Sequence, residues 1–124
     1  TLVSALLAAT RRSRIGLMAP LPPSASQDSF GIDYGCLIPR WRYCRNQYAM
    51  LCAMMKAFSD FDPRVSLIPA YLQIDPVHGY PTRLEKSNPY TEHATSVVCN
   101  SVHPADAGYS QIADAVYAWM RSLD

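Results

Sequence analysis

The string Asn100-Ser101-Val102-His103-Pro104 sets an imidazole three residues after a side-chain amide, directly ahead of an amphipathic run that reaches Leu123. With an ordinary pKa of about 6.5, such a ring can take a proton from a hydroxyl and return it to a leaving group. A helix-entry turn suits that work, because Pro104 and the helix behind it fix the backbone while the ring stays free. The other two histidines have poorer surroundings. His78 lies in Asp75-Pro76-Val77-His78-Gly79-Tyr80, a turn signature, and reads as a surface residue. His93, beside Glu92 in a polar loop, reads as solvated. No ligand spacing supports a metal site built from His78, His93, His103 and Cys99, so neither metal nor cofactor is expected.

The cysteines are Cys36, Cys44, Cys52 and Cys99, and they form no CxxC pair that would suggest structural zinc. Cys44 and Cys52 fall on one expected helix about 12 Å apart, beyond the roughly 7 Å limit for a disulfide. Cys36 is near enough in sequence to pair with Cys44 across a loop, a pairing the sequence leaves open. The compartment is left open too, with secreted, cell-surface and virion-associated locations all compatible.

The elements that must position His103 follow from the apolar pattern. With 124 residues, 49% of them hydrophobic, the chain suits one globular domain. A net charge of +1 offers no basic field for nucleic acid, and no apolar run approaches a membrane span. Residues 2–12 read as the end of a helix whose beginning lies outside this chain. Residues 14–20, RIGLMAP, and 65–70, VSLIPA, read as buried parallel strands. Between them, 21–35 reads as loop, with QDSFG (27–31) a turn that only superficially offers an Asp28-Ser29 nucleophile tract. Trp41 to Phe58 reads as a helix striped by Trp41, Cys44, Tyr48, Leu51, Met55 and Phe58, with Met50, Met54 and Met55 as core filler. Arg40, Arg42 and Arg45 read as a solvated face, with a faint suggestion of an anionic neighbour. Strand, helix, strand at this spacing is a βαβ unit. Residues 71–100 are loop-rich with short strand fragments, and Pro104 to Leu123 is the last helix. Pro104 suits its first position, Asp106 complements its dipole, and Gly108 marks a close backbone approach. Two parallel strands cannot close such a sheet. Either residues 71–100 add strands, or polypeptide outside this chain does.

Taken together, the V-H-P-x-x-x-G-Y string (Val102, His103, Pro104, Gly108, Tyr109) and the alanine-rich helix after it resemble the last sequence block of the SGNH (GDSL-type) hydrolases. In that block an Asp-x-x-His tract ends in His-Pro and leads into the final helix. RIGLMAP, its proline-rich loop, the arginine-rich helix and VSLIPAY are also similar to the later half of that domain. The resemblance implies a three-layer α/β/α, flavodoxin-like fold with a parallel sheet. Residues 1–124 would form the C-terminal part of one such domain, and the missing N-terminal half would come from the same or another chain. It implies ester hydrolysis by a Ser/His mechanism on a small-molecule or glycan ester, such as carbohydrate O-deacetylation, with His103 as general base and acid.

Two departures stand out. The family's Gly-Asp-Ser nucleophile tract and its oxyanion-hole tracts have no counterpart here. Asn100 occupies the position of the family's aspartate, and in a serine-protease triad the analogous exchange costs about 10⁴ in turnover. Enzyme or not is therefore left open. The competing expectation is a non-catalytic carbohydrate-binding or structural module of the same architecture, with Trp41, Tyr71, Tyr80 and Tyr90 as its binding surface.

Overall fold

A computed structural model describes residues 1–35 and 37–123. Cys36, and with it the Cys36–Cys44 pairing, lies outside the described residues, while Cys52 and Cys99 are free thiols. The chain is mixed α/β, with one small parallel and one small antiparallel sheet. In chain order the elements are α1 (Leu2–Ala9), β1 (Ile15–Met18), α2 (Gln27–Tyr34), α3 (Arg40–Phe58), β2 (Val65–Ile68), α4 (Ala70–Gln73), β3 (Thr82–Lys86), β4 (Ala94–Val98) and α5 (Asp106–Arg121). Among the described residues no helix is long and apolar enough to cross a membrane.

Strands β1 and β2 pair in parallel, from Ile15 with Val65 to Met18 with Ile68. Helix α5 lies against one face of this ribbon. Trp119 donates its indole N–H to Ser66 Oγ at 2.7 Å. Its ring occupies the space above Gly16, where a Cβ would come within 2.9 Å of it. A core of Ile68, Ala70 and Ala115, flanked by Leu21, Ile112, Val116 and Trp119, joins β2, α4 and α5. By strand alternation Val65 and Leu67 turn to the other face, where they line a shallow groove with Met55 and Phe58 of α3. Helix α1 buries none of its residues. Arg64 holds its C-terminal end instead, donating to the carbonyls of Leu7 and Thr10 at 3.3 and 3.1 Å while gripping Asp62 through Nε and Nη2. That grip holds the Asp62 carboxyl below its usual range.

Several expectations need correction. The supposed loop at 21–35 contains α2, and QDSFG is its first turn and a half, not a decoy turn in a loop. Ser26 caps the helix by accepting from Ser29 N–H, and Gly35 ends it at φ 100°. Phe30 and Tyr34, four residues apart, stack at 4.6 Å and meet Tyr43 of α3 at 5.5 and 5.0 Å. The aromatic cluster outweighs the weak helix propensity of Ser, Gly and Asp. The stripe on α3 is not a core face. Trp41, Tyr48 and Met55 are exposed, as is Met50, while Cys44, Leu51 and Phe58 are half-buried, because the stripe meets β2 only toward its C-terminal end; the buried residue is Gln47, which donates to the Leu21 carbonyl. Pro104 stands two residues before the first helical position, since Ala105, with ψ 176°, is the N-cap. Finally, residues 71–100 add two strands, yet among the described residues these pair only with each other. The parallel ribbon gains nothing from them.

Candidate functional site

Three segments meet ahead of α5: the loop after β1, the segment after α4 and the turn that precedes α5. The loop after β1 brings Pro22, Ser24 and Ala25. The segment after α4 brings Asp75 to Tyr80, and the turn before α5 brings Asn100 to His103. Ala25 N–H donates to the Pro76 carbonyl at 2.7 Å, and the Tyr80 hydroxyl donates to the Pro22 carbonyl. Burial pushes that phenol up to about 12, with Tyr43 and Cys44 adding to the rise. Ser24 and Ser101, both fully buried, face each other with hydroxyl oxygens 2.5 Å apart. Ser24 N–H also donates to the Ser101 carbonyl at 3.3 Å.

The turn itself is built by Asn100. Its Oδ1 accepts from the backbone N–H groups of Val102 and His103 at 2.8 and 2.9 Å, an Asx turn that sets the direction of the following residues. Asp33 of α2 holds the same turn from outside, accepting from Ser101 N–H at 2.6 Å. Behind His103, Ala105 N–H donates to the Gly79 carbonyl at 2.9 Å. Gly108 lies so close that a Cβ there would sit 2.2 Å from the Gly79 oxygen, which is the close backbone approach expected of that glycine. The backbone of His103 is thereby tied on both sides, while its side chain is exposed. The 100–103 turn thus abuts the loop leaving β1, and the segment after α4 holds the start of α5 just behind it. No hydroxyl among the described residues hydrogen-bonds its imidazole, and the buried Ser24–Ser101 pair is a structural clasp.

Sequence reading missed Asp33, whose helix it took for loop. It also missed a partner for His78. Asp75-Pro76-Val77-His78 repeats the x-x-His spacing of Asn100-Ser101-Val102-His103, and that repeat was the available signal. Asp75 Oδ1 accepts from Val77 and His78 N–H at 2.7 and 3.1 Å, the same Asx turn, while Oδ2 meets the His78 ring at 2.9 Å. The side chain of His78 is exposed, as expected. The ring contact and the two amides hold the Asp75 carboxyl below its usual range. A carboxyl with a lowered folded pKa stabilises the fold above its unfolded pKa of about 3.9, and that contribution is lost as pH falls through the folded value. Asp75→Asn keeps the Asx turn, as Asn100 demonstrates, but loses the ionic part. The variant should therefore melt below the wild type at about pH 7 and converge with it at about pH 2. A melting difference that persists unchanged at the acid end would show that the carboxylate charge is irrelevant.

The other candidates are dispersed. His93 is exposed near the tip of the β3–β4 hairpin. Tyr80 is a buried residue and Tyr71 is half-buried, whereas Trp41 and Tyr90 are exposed on α3 and on the hairpin tip; the four aromatics do not form one binding surface. Arg40 is half-buried, its backbone N–H received by Gln27 Oε1 at 2.6 Å. The guanidinium of Arg45 lies 5.2 Å over the Trp41 ring, and Arg42 is exposed. Among the described residues no three His, Cys, Asp or Glu side chains gather as a metal-ligand set. No protein-family model, curated protein or solved structure matches the chain.

Proposed function

We propose that the chain is the C-terminal part of an SGNH-type ester hydrolase and supplies the general base, His103, to a serine carried by polypeptide outside these 124 residues. On this reading the two parallel strands, with α5 on one side and α3 on the other, belong to a larger three-layer α/β/α domain. One observation carries the proposal: an exposed imidazole on a doubly anchored turn that is bonded to the loop leaving β1, and α/β folds form their clefts at the loops beyond their parallel strands. His103 takes the serine proton as the hydroxyl attacks the ester carbonyl, then gives it to the departing alcohol. It repeats the cycle with water to release the acid. Asn100 positions the ring by fixing the turn. A glycan O-acyl ester is the substrate class that the family resemblance suggests.

A second reading, a binding module without chemistry, draws on the lack of any serine hydroxyl bonded to His103 among the described residues. A serine-directed fluorophosphonate separates the two. The full-length protein should label on one serine, and labelling should slow when His103 is replaced. A full-length protein that stays unlabelled while retaining glycans would establish the binding module instead.

A further inference from the structure

The β3–β4 hairpin stands apart from the parallel ribbon, and its outer strand is bare. All five residues of β3 are exposed, and Leu84, at its centre, is 75% exposed. Open edges are templates for another strand and are usually blunted by charges, a proline or a bulge; β3 carries Arg83, Glu85 and Lys86, which admit only a partner strand that matches them. Here the centre is a leucine flanked by Arg83 and Glu85.

The ladder shows which way the amides point. Cys99 N–H donates to the Pro81 carbonyl at 2.9 Å and Ser87 N–H to the His93 carbonyl at 3.0 Å, which makes 81/99 and 87/93 hydrogen-bonded pairs. In the register between them, Thr82 opposite Val98 to Lys86 opposite Ala94, such pairs alternate. Arg83 and Glu85 therefore turn their amides toward β4. Thr82, Leu84 and Lys86 turn both N–H and C=O to the open edge, and no backbone bond among the described residues uses them there.

We infer that β3 pairs antiparallel with β3 of a second copy, about a two-fold axis through Leu84, giving a four-stranded sheet in the order β4-β3-β3-β4. In this register Leu84 meets the partner's Leu84 in a hydrogen-bonded pair. Thr82 and Lys86 pair likewise with the partner's Lys86 and the partner's Thr82. Arg83 falls opposite the partner's Glu85 in a non-hydrogen-bonded pair, where the side chains of facing residues come closest. The intrachain contact from Arg83 Nε to Glu85 Oε1, at 2.6 Å, then becomes half of a ring of four alternating charges. The strand Thr82-Arg83-Leu84-Glu85-Lys86 is self-complementary in charge only about its centre, as an isologous interface requires. The outer edge of β4, Ala94 to Val98, carries no charge that could set a register. The interface is small and the dimer correspondingly weak.

Sedimentation velocity of the full-length protein tests this independently of any role for His103. The wild type should show a concentration-dependent monomer–dimer equilibrium. Leu84→Pro removes an N–H that faces outward and no bond to β4, so folding should persist while dimerisation weakens by at least about tenfold. Arg83→Glu places like charges opposite each other twice and should weaken the dimer by about tenfold, and Arg83→Glu with Glu85→Arg should restore it. Should Leu84→Pro disturb the hairpin, seen as a lowered thermal midpoint, the charge series decides alone. A protein that stays monomeric up to about 1 mM, or a dimer indifferent to charge reversal and its swap, overturns the inference.

Discussion

Gly108→Ala is expected to lower the stability of the protein by about 2–4 kcal/mol, although alanine is the better helix former by about 1 kcal/mol. The added Cβ would lie 2.2 Å from the Gly79 carbonyl oxygen and 2.7 Å from Pro104 Cβ. The oxygen belongs to backbone that has little room to retreat. Gly79 N–H is bonded to the Asp75 carbonyl at 2.9 Å, and Gly79 itself leaves only 2.5 Å between a hypothetical Cβ and that same carbonyl oxygen. The Gly79 oxygen also receives Ala105 N–H, the bond that seats the start of α5. Relief must therefore come from moving α5 away from the turn at 75–79, and with it the backbone of His103. Thermal unfolding should show a midpoint lowered by roughly 5–15 °C. An unchanged midpoint would mean that helix and turn do not touch in solution.

On the proposed hydrolase reading, His103→Ala should reduce the turnover of p-nitrophenyl acetate by the full-length protein about 10³-fold, within the usual range for a lost general base, and leave its thermal midpoint nearly unchanged. The ring is exposed and has no hydrogen-bond partner among the described residues, so its removal leaves no buried group unsatisfied. A loss of activity could then not be blamed on unfolding. The companion substitution, Asn100→Asp, preserves both amide bonds of the turn, since Asp75 makes the same two in the sister turn. It adds a charge that can hold the imidazole in its useful tautomer, so turnover should rise by about tenfold or more. If the His103 variant and the wild type turn over equally, the histidine has no part in the reaction. A flat response to Asn100→Asp alone would instead mean that another acceptor orients the ring.

What could be read along the chain was whatever neighbours within a turn or two decide. The apolar runs at 14–20 and 65–70 became the parallel pair, with its register running from Ile15 and Val65 to Met18 and Ile68. The 3.6-residue period located α3 and α5 to within a few residues of their ends, and Gly108 announced a close approach before its partner was known. The position of His103 ahead of α5 was equally local.

Tertiary structure decided the rest, because burial and pairing depend on residues far apart in sequence. Ser24 and Ser101, 77 positions apart, close one flank of the site, and Asp33 reaches across 68 positions to Ser101. No local pattern marks such pairs. The α2 helix is weak in propensity and is held by the Tyr43 ring of α3, so it looked like loop. Tyr80 sits in the interior whereas Tyr90, chemically identical, is 97% exposed. An amphipathic stripe states only that a face is able to bury itself; on α3 only the C-terminal part of it meets β2, and only the assembled fold reveals that Trp41 and Tyr48 stay exposed.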